Sequence, residues 1–331
     1  LIKKELKIII ISLVVSCLLT FAKFGAYFVT HSVAILSDAL ESIINVVAGA
    51  FACYSIYLSG KPKDEDHPYG HGKVEFFSIG FEGAMIFIAG CLIWVKAITF
   101  FFSPHELHKV DSGLYVIMGT SVANFVLGKF LVSQGKKAPS ITLQGNGKHI
   151  LSDAYSSIGL IAALGLIKLT GWTYIDPIAS LIFGGIILYQ GYRLMRQSIS
   201  GLMDETDKQV IDQIVQLFTK NRTPAMIDVH NMRVQQYGSN YHIDCHITMP
   251  YYYSLKAVHD EIDRLENQVN KQIFSGDAEF FIHMDPCTSQ SCPLCLVENC
   301  PARKHRFEGK VEWSRDNVLP NRKHDIEAID K

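Results

Sequence analysis

The feature that most constrains this chain is an apolar run, long enough to cross a bilayer, that nevertheless carries acids. Inside the stretch from Val33 to Leu58, residues Ser37 to Asn45 read Ser-Asp-Ala-Leu-Glu-Ser-Ile-Ile-Asn. An ionisable group at bilayer depth is costly, so it faces a partner or a cation rather than lipid. Asp38, Glu41 and Asn45 are spaced i, i+3, i+7 and share one helical face. That face is expected to be a binding surface.

Five further apolar runs follow the same rule of length: about Leu6 to Val29, Phe76 to Phe101, Gly113 to Val132, Ile141 to Leu169 and Ile175 to Leu194. Each reaches or approaches the roughly 20 residues that a membrane-spanning helix needs. The first run is too long for the core of a signal peptide and is read as a retained span. Lysines and arginines cluster on alternate connections: Lys3, Lys4 and Lys7 before the first run, Lys61, Lys63 and Lys73 after the second, Lys136, Lys137 and Lys148 around the start of the fifth, Arg193 and Arg196 at the end of the sixth. The positive-inside rule therefore predicts six spans with both termini cytoplasmic. The overall 48% hydrophobic and 19% charged content averages over two different halves, because from Asp204 onward the chain reads as soluble and charge-rich. A net charge of -1 with dispersed basic residues gives no argument for a nucleic-acid partner, and none is expected.

An internal echo links two runs. Leu36-Ser-Asp-Ala-Leu-Glu-Ser-Ile43 and Leu151-Ser-Asp-Ala-Tyr-Ser-Ser-Ile158 agree at six of eight positions, and the predicted orientation makes the second and fifth spans antiparallel. This is the signature of a three-plus-three inverted repeat around a midplane site. His149 and Asp153 stack at i, i+4 on the fifth span, so Glu41, Asn45, His149 and Asp153 together offer oxygen and nitrogen ligands suited to a divalent first-row metal. A hydrogen-bonded helix contact without an ion is the plain alternative. Lys23 and Lys96 are expected to snorkel toward the outer surface, and Glu82 to pair within the bundle.

Outside the spans, the loop Asp64-Glu-Asp-His67-Pro-Tyr-Gly-His71-Gly-Lys73 carries Asp64, His67 and His71, able to converge on one cation or simply to be solvated. The soluble part shows helix periodicity over Gln209 to Lys220 and Lys256 to Gln272, and strand-like segments at His230 to Gln236, Tyr241 to Thr248 and Glu279 to Met284. The order α-β-β-α-β predicts a small α+β domain with helices on one face of the sheet. His230, His242, His246, His259 and His283 with Asp285 are many histidines for so small a domain, and metal binding accounts for them. Cys287, Cys292, Cys295 and Cys300 then follow as C-x4-C-x2-C-x4-C, open to a thiolate metal site, an iron-sulfur cluster or free thiols. Arg303 to Lys331 is charged and poor in apolar residues and is expected to be a disordered tail. The predicted domains are thus 1–200 for the transport bundle, 201–286 for the soluble domain, and 287–331 for the cysteine-rich segment and tail.

These motifs together resemble the cation diffusion facilitator family. Ser32-x-Ala34-x-x-Ser37-Asp38-Ala39 with Glu41 and Asn45, His67-x-x-Gly-His71-Gly-Lys73-x-Glu75, His149-x-x-x-Asp153, Asp176-Pro177, Leu202-Met203-Asp204 and His283-Met-Asp285-Pro-Cys287 carry the resemblance. It implies a polytopic helical membrane protein of six spans with a cytoplasmic, ferredoxin-like and metallochaperone-like domain, working as a homodimer. The implied activity is proton-coupled export of Zn2+, Fe2+ or Mn2+ from the cytoplasm across a bacterial-type inner membrane, with metal as both substrate and regulatory ligand and with no enzymatic function. By resemblance the transport site is Glu41, Asn45, His149 and Asp153, with Asp38 one turn away; the loop site is Asp64, His67 and His71; the soluble binuclear site is His230, His246, His259, His283 and Asp285; Lys73 and Asp204 form a charge interlock near the dimer contact. Zinc-transporting relatives usually pair Asp or His with Asp where this chain has Glu41 and Asn45. The harder amide oxygen shifts the expectation toward Mn2+ or Fe2+. The alternative is a metal sensor or scaffold of the same fold without transport.

Overall fold

The computed structural model describes residues 2–328 apart from 31–32, 103–113, 138–139, 171–173, 206, 239 and 275–277. The side chains of Asp38, Glu41, Lys96 and Asp176 also lie outside the described residues. The chain divides into two units, Leu1–Met203 and Asp204–Lys331.

The first unit is six long helices: α1 (Ile2–Thr30), α2 (Val33–Ser59), α3 (Val74–Phe102), α4 (Leu114–Lys137), α5 (Ile141–Thr170) and α6 (Ile175–Leu202). At about 1.5 Å per residue, the shortest, with 24 residues, is about 36 Å long and exceeds the hydrocarbon thickness. Among the described residues, Lys4–Gly25, Val74–Thr99 and Pro177–Leu202 are apolar enough throughout to read as spans on hydropathy alone. Helix α5 is not, because it carries Gln144, Asn146, Lys148, His149 and Asp153. The distribution of polarity explains why this is tolerated. Large apolar side chains such as Leu18, Phe21, Val122 and Val126 face outward, whereas Ser12, Ser78, Glu82, Asn146 and His149 are buried. Such an inside-out arrangement suits a lipid solvent.

The closest helix pairs are α3 with α6, α4 with α5 and α1 with α2, and α5 also touches α2, α3 and α6. Glycine makes the first two contacts possible. A Cβ on Gly191 would stand 2.7 Å from the Phe87 amide nitrogen, and one on Gly147 would stand 2.8 Å from that of Val132. Small residues bring backbones together in this way wherever hydrophobic collapse cannot. Close approach of α4 to α5 fixes the helix that carries His149 and Asp153.

The second unit contains α7 (Lys208–Lys220), β1 (Asp228–Tyr237), β2 (Asn240–Met249), α8 (Leu255–Val269) and β3 (Ala278–Pro286), in the expected order. Asp207 caps α7 by accepting from the Gln209 and Val210 amides, and Ser254 caps α8 by accepting from Ala257. The strands form one sheet in the order β1-β2-β3, antiparallel and then parallel. Ile211, Ile214 and Phe218 of α7 and Val258, Ile262 and Leu265 of α8 share a buried cluster with Val229, Ile243, Cys245 and Ile247 of the sheet. Both helices therefore cover one sheet face and leave the other available.

Over residues 303–328 the tail is ordered, contrary to expectation. Residues 303–328 form a strap in which Val311, Trp313 and Val318 are buried in the same core. The Arg222 guanidinium anchors it, donating to the carbonyls of Met226, Ile227 and Val311 and lying 4.1 Å from the Trp313 ring centroid. A short helix, α9 (Arg315–Val318), touches β1 and α7. A few well-placed apolar residues outweigh the low average hydrophobicity that made the segment look unstructured.

Candidate metal centres

The intramembrane centre joins α2 to α5. Asn45 Nδ2 donates to Asp153 Oδ2 at 2.5 Å, and Asn45 Oδ1 lies 2.7 Å from His149 Nε2. His149 Nε2 stands 3.9 Å from the same Asp153 oxygen, and its residue is 4% exposed. These separations approach the ligand spacings around one ion whose bonds are about 2.0–2.2 Å. Because the Asn45 amide donates to Asp153 through nitrogen, its oxygen faces the imidazole as an acceptor, so His149 Nε2 carries the proton in this arrangement. A metal taking that nitrogen must displace the proton. Glu41 sits one turn before Asn45 on α2, but it and Asp38 lie outside the described side chains.

Two polar groups near this centre depart from or extend the expectation. Lys23 does not snorkel: it is 4% exposed, and its ammonium donates to Ser42 Oγ at 2.7 Å. A polar partner on α2 outweighs the pull of the surface. Glu82 does pair within the bundle, accepting from Asn146 Nδ2 at 3.3 Å.

The loop centre is gathered by a turn. The Gly70 amide donates to the His67 carbonyl at 2.9 Å, and Gly70 adopts φ +88°, a conformation that favours glycine. Asp64 Oδ1 is 2.9 Å from His67 Nδ1, and Asp64 Oδ2 is 3.3 Å from His71 Nε2. The hydrogen bond from His67 holds the Asp64 carboxyl below the usual carboxylate range. Ligand atoms of all three lie within 4.8 Å of one another, a spacing one cation can bridge.

The third centre lies on the sheet face opposite α7 and α8, where the end of the strap meets it. The pairing sets His230, His246 and His283 side by side across the three strands, with Asp228, Thr248 and Asp285 in the next row of the same face. Asp285 Oδ2 is 3.4 Å from His230 Nε2 and 3.6 Å from His246 Nδ1, while Asp285 Oδ1 is 2.9 Å from His283 Nδ1. One carboxylate thus stands among three imidazoles, an arrangement suited to bridging two ions. His230, His246 and Asp285 alone meet the 4.8 Å spacing for a single ion. His259 stands apart within the single chain: it is on α8, 3.6 Å from Asp263 and exposed, and belongs to neither described group of three. His242 pairs with Glu279 at 2.8 Å instead.

Three residues at this centre are absent from the sequence expectation. Asp228 Oδ2 is 3.0 Å from His230 Nδ1, which orients the imidazole so that Nε2 faces Asp285. The strap adds His324, whose Nδ1 also meets Asp228, and Lys323, whose ammonium lies 3.2 Å from Asp285 Oδ2. Burial alone would raise the Asp228 carboxyl; the hydrogen bonds from His230 and His324 reverse this and hold it far below its ordinary value. Burial likewise opposes the shift at Asp285, whose carboxyl is held down by the Lys323 ammonium, His246 and His283. No local pattern announced Lys323 and His324, since they arrive from a segment about forty residues further along the chain.

Lys73 precedes α3 and Asp204 opens the second unit with φ +54°, so the expected interlock joins residues of different units. The four cysteines after β3 are free thiols gathered around one cavity, taken up below.

Residues 9–203 match the cation efflux transmembrane domain, and residues 206–287 match the cation efflux protein cytoplasmic domain. An uncharacterised transporter of Synechocystis is 32% identical over 80% of this chain and 84% of its own length. The manganese efflux system protein MneP of Bacillus subtilis is 28% identical, covering 85% of this chain and 95% of its own, and the cation-efflux pump FieF of Salmonella typhi is 26% identical over 82% and 89%.

Proposed function

Because this chain belongs to the cation efflux family of membrane transporters, we propose that it exports divalent transition-metal ions from the cytoplasm in exchange for protons. The observation that carries this reading is the partly buried triangle of Asn45, His149 and Asp153, which joins α2 to α5. Metal arriving at His149 releases the Nε2 proton, and a returning proton releases the metal, so cation and proton compete for one lone pair. Two conformations that open this site to opposite sides turn the competition into antiport.

Among Zn2+, Fe2+ and Mn2+, the neutral amide of Asn45 favours the harder ions, and the manganese-exporting relative supports Mn2+. The loop and sheet-face centres serve as regulatory metal sites. In a homodimer with both termini cytoplasmic in a bacterial-type plasma membrane, metal at the sheet face shifts the population toward the active arrangement, and Lys73 and Asp204 form a charge interlock near the dimer contact.

The decisive experiment is metal uptake into inverted vesicles. Asp153→Ala should abolish energised uptake of Mn2+, Fe2+ and Zn2+ while the protein still inserts. Flux equal to that of the unaltered chain would remove this site from the transport path.

A further inference from the structure

The cysteine cluster belongs to none of the centres above. Cys287 continues from β3, its amide donating to the Met249 carbonyl at 2.8 Å. Cys292 and Cys295 close a turn, with the Cys295 amide donating to the Cys292 carbonyl at 3.2 Å, and Cys300 opens the next turn toward Arg303. All four line one cavity of about 170 Å³, with Arg303 and Lys304 also in its wall. Sequence neighbours up to thirteen positions apart thus converge on a single space.

One sulfur has a hydrogen-bond donor aimed at it: the Lys304 amide points to Cys292 Sγ at 3.4 Å. Donors of this kind stabilise a thiolate far more than a thiol. The Arg303 guanidinium binds the carbonyls of Cys292, Cys295 and Val297, which keeps its positive charge beside the sulfurs. Four sulfurs lining one small cavity make a set of soft donors matched to a single cation.

We propose that Cys287, Cys292, Cys295 and Cys300 form a four-thiolate centre for a divalent ion of the zinc class, which fastens the strap to the sheet domain. Four ligands, a Cys-x2-Cys turn and soft donors suit a tetrahedral, redox-inert ion. On binding, the four S–H groups release four protons to solvent, four S–metal bonds form, and the resulting charge of -2 is offset by Arg303 and Lys304. No three of the four sulfurs lie within 4.8 Å of one another, so they ring the cavity more widely than the roughly 3.8 Å of a tetrahedral thiolate site. Binding therefore draws the two turns inward and gives up the weak 3.9 Å bond from Cys292 to the Thr288 carbonyl. The strap begins at this centre and ends with Lys323 and His324 on the histidine row, so the ion holds the base of the segment that covers that row. The inference does not rest on the transport reading.

The test uses the full chain, purified in detergent and loaded first with Zn2+ and then, separately, with Co2+. Zinc-edge X-ray absorption should show a sulfur shell at about 2.3 Å, and the cobalt form a near-ultraviolet thiolate charge-transfer band. Cys292→Ser with Cys295→Ser should lose the band and one equivalent of metal per chain, and cleavage of the strap by added protease should accelerate by about tenfold. His246→Ala should keep the band, which separates this centre from the sheet face. The measurements on the unaltered chain stand even if the double variant folds poorly. A zinc shell of nitrogen and oxygen alone, disulfides among the four cysteines by mass spectrometry, or stoichiometric iron and sulfide would each overturn the proposal.

Discussion

At the scale of single residues, the chemistry turns on which groups are charged when metal arrives. Asn45 is neutral and touches both other described members of the intramembrane triangle. Replacing it with aspartate adds a charge and removes the donor to Asp153. In a competition flux assay, Asn45→Asp should move the Zn2+ to Mn2+ preference toward zinc by about tenfold, which is about 1.4 kcal/mol. An unchanged ratio would mean that the amide is not what selects. The loop centre makes a different prediction, in which the sign comes from its pKa balance. The Asp64 carboxyl is held down chiefly by its hydrogen bond to His67, so it stays ionised as pH falls through the mildly acidic range. A metal ligand must be deprotonated to bind, so loss of metal there in acid falls to the imidazoles rather than to this carboxylate. The affinity difference between the full chain and the His67→Ala, His71→Ala variant should therefore be present at about pH 7.5 and absent by about pH 5. Isothermal titration at the two pH values measures it, and a difference that persists in acid would exclude imidazole ligation.

Elements decide which of these residues meet. In β1 a bulge falls between His230 and Arg233, with Asn231 at φ +54° and its amide donating to the Pro320 carbonyl. Strict alternation would send Met232 to the same face as His230. The extra residue turns Met232 into the core and leaves His230 on the metal face, a device that asparagine tolerates better than most residues. The strap works at the same scale. Trp313 is 6% exposed and stacked on Arg222, so Trp313→Ala should cost about 3–5 kcal/mol of local stability. Hydrogen exchange on the full chain should then show faster exchange over 303–328 and weaker protection of His230 and its neighbours. Exchange confined to the mutated position would mean that the strap is held elsewhere.

At the scale of the whole molecule, a helical bundle with apolar residues outward and polar ones inward sets the partly buried intramembrane centre among protein groups rather than lipid. The antiport reading predicts that, in sealed proteoliposomes, added Mn2+ or Zn2+ enters while protons leave with a fixed ratio. Binding with proton release but without accumulation inside would instead make the chain a sensor of the same fold.

Much of this was legible in the sequence because the two periodicities are local. The i, i+4 spacing of His149 and Asp153 declared their shared face on α5, Asn45 was marked as its partner from α2, and alternation declared the strands. The family motifs around His67, His149 and His283 marked the candidate ligands. What remained hidden depends on contacts between distant segments. Lys23 turned inward because Ser42 awaited it, and the strap ordered because Val311, Trp313 and Val318 met a core built from α7, α8 and the sheet. His324 found Asp228, Lys323 found Asp285, and four cysteines came to share one cavity. A sequence states the period and chemistry of each element, but the free energy of burial is a property of whatever lies opposite, and only the tertiary structure supplies that partner.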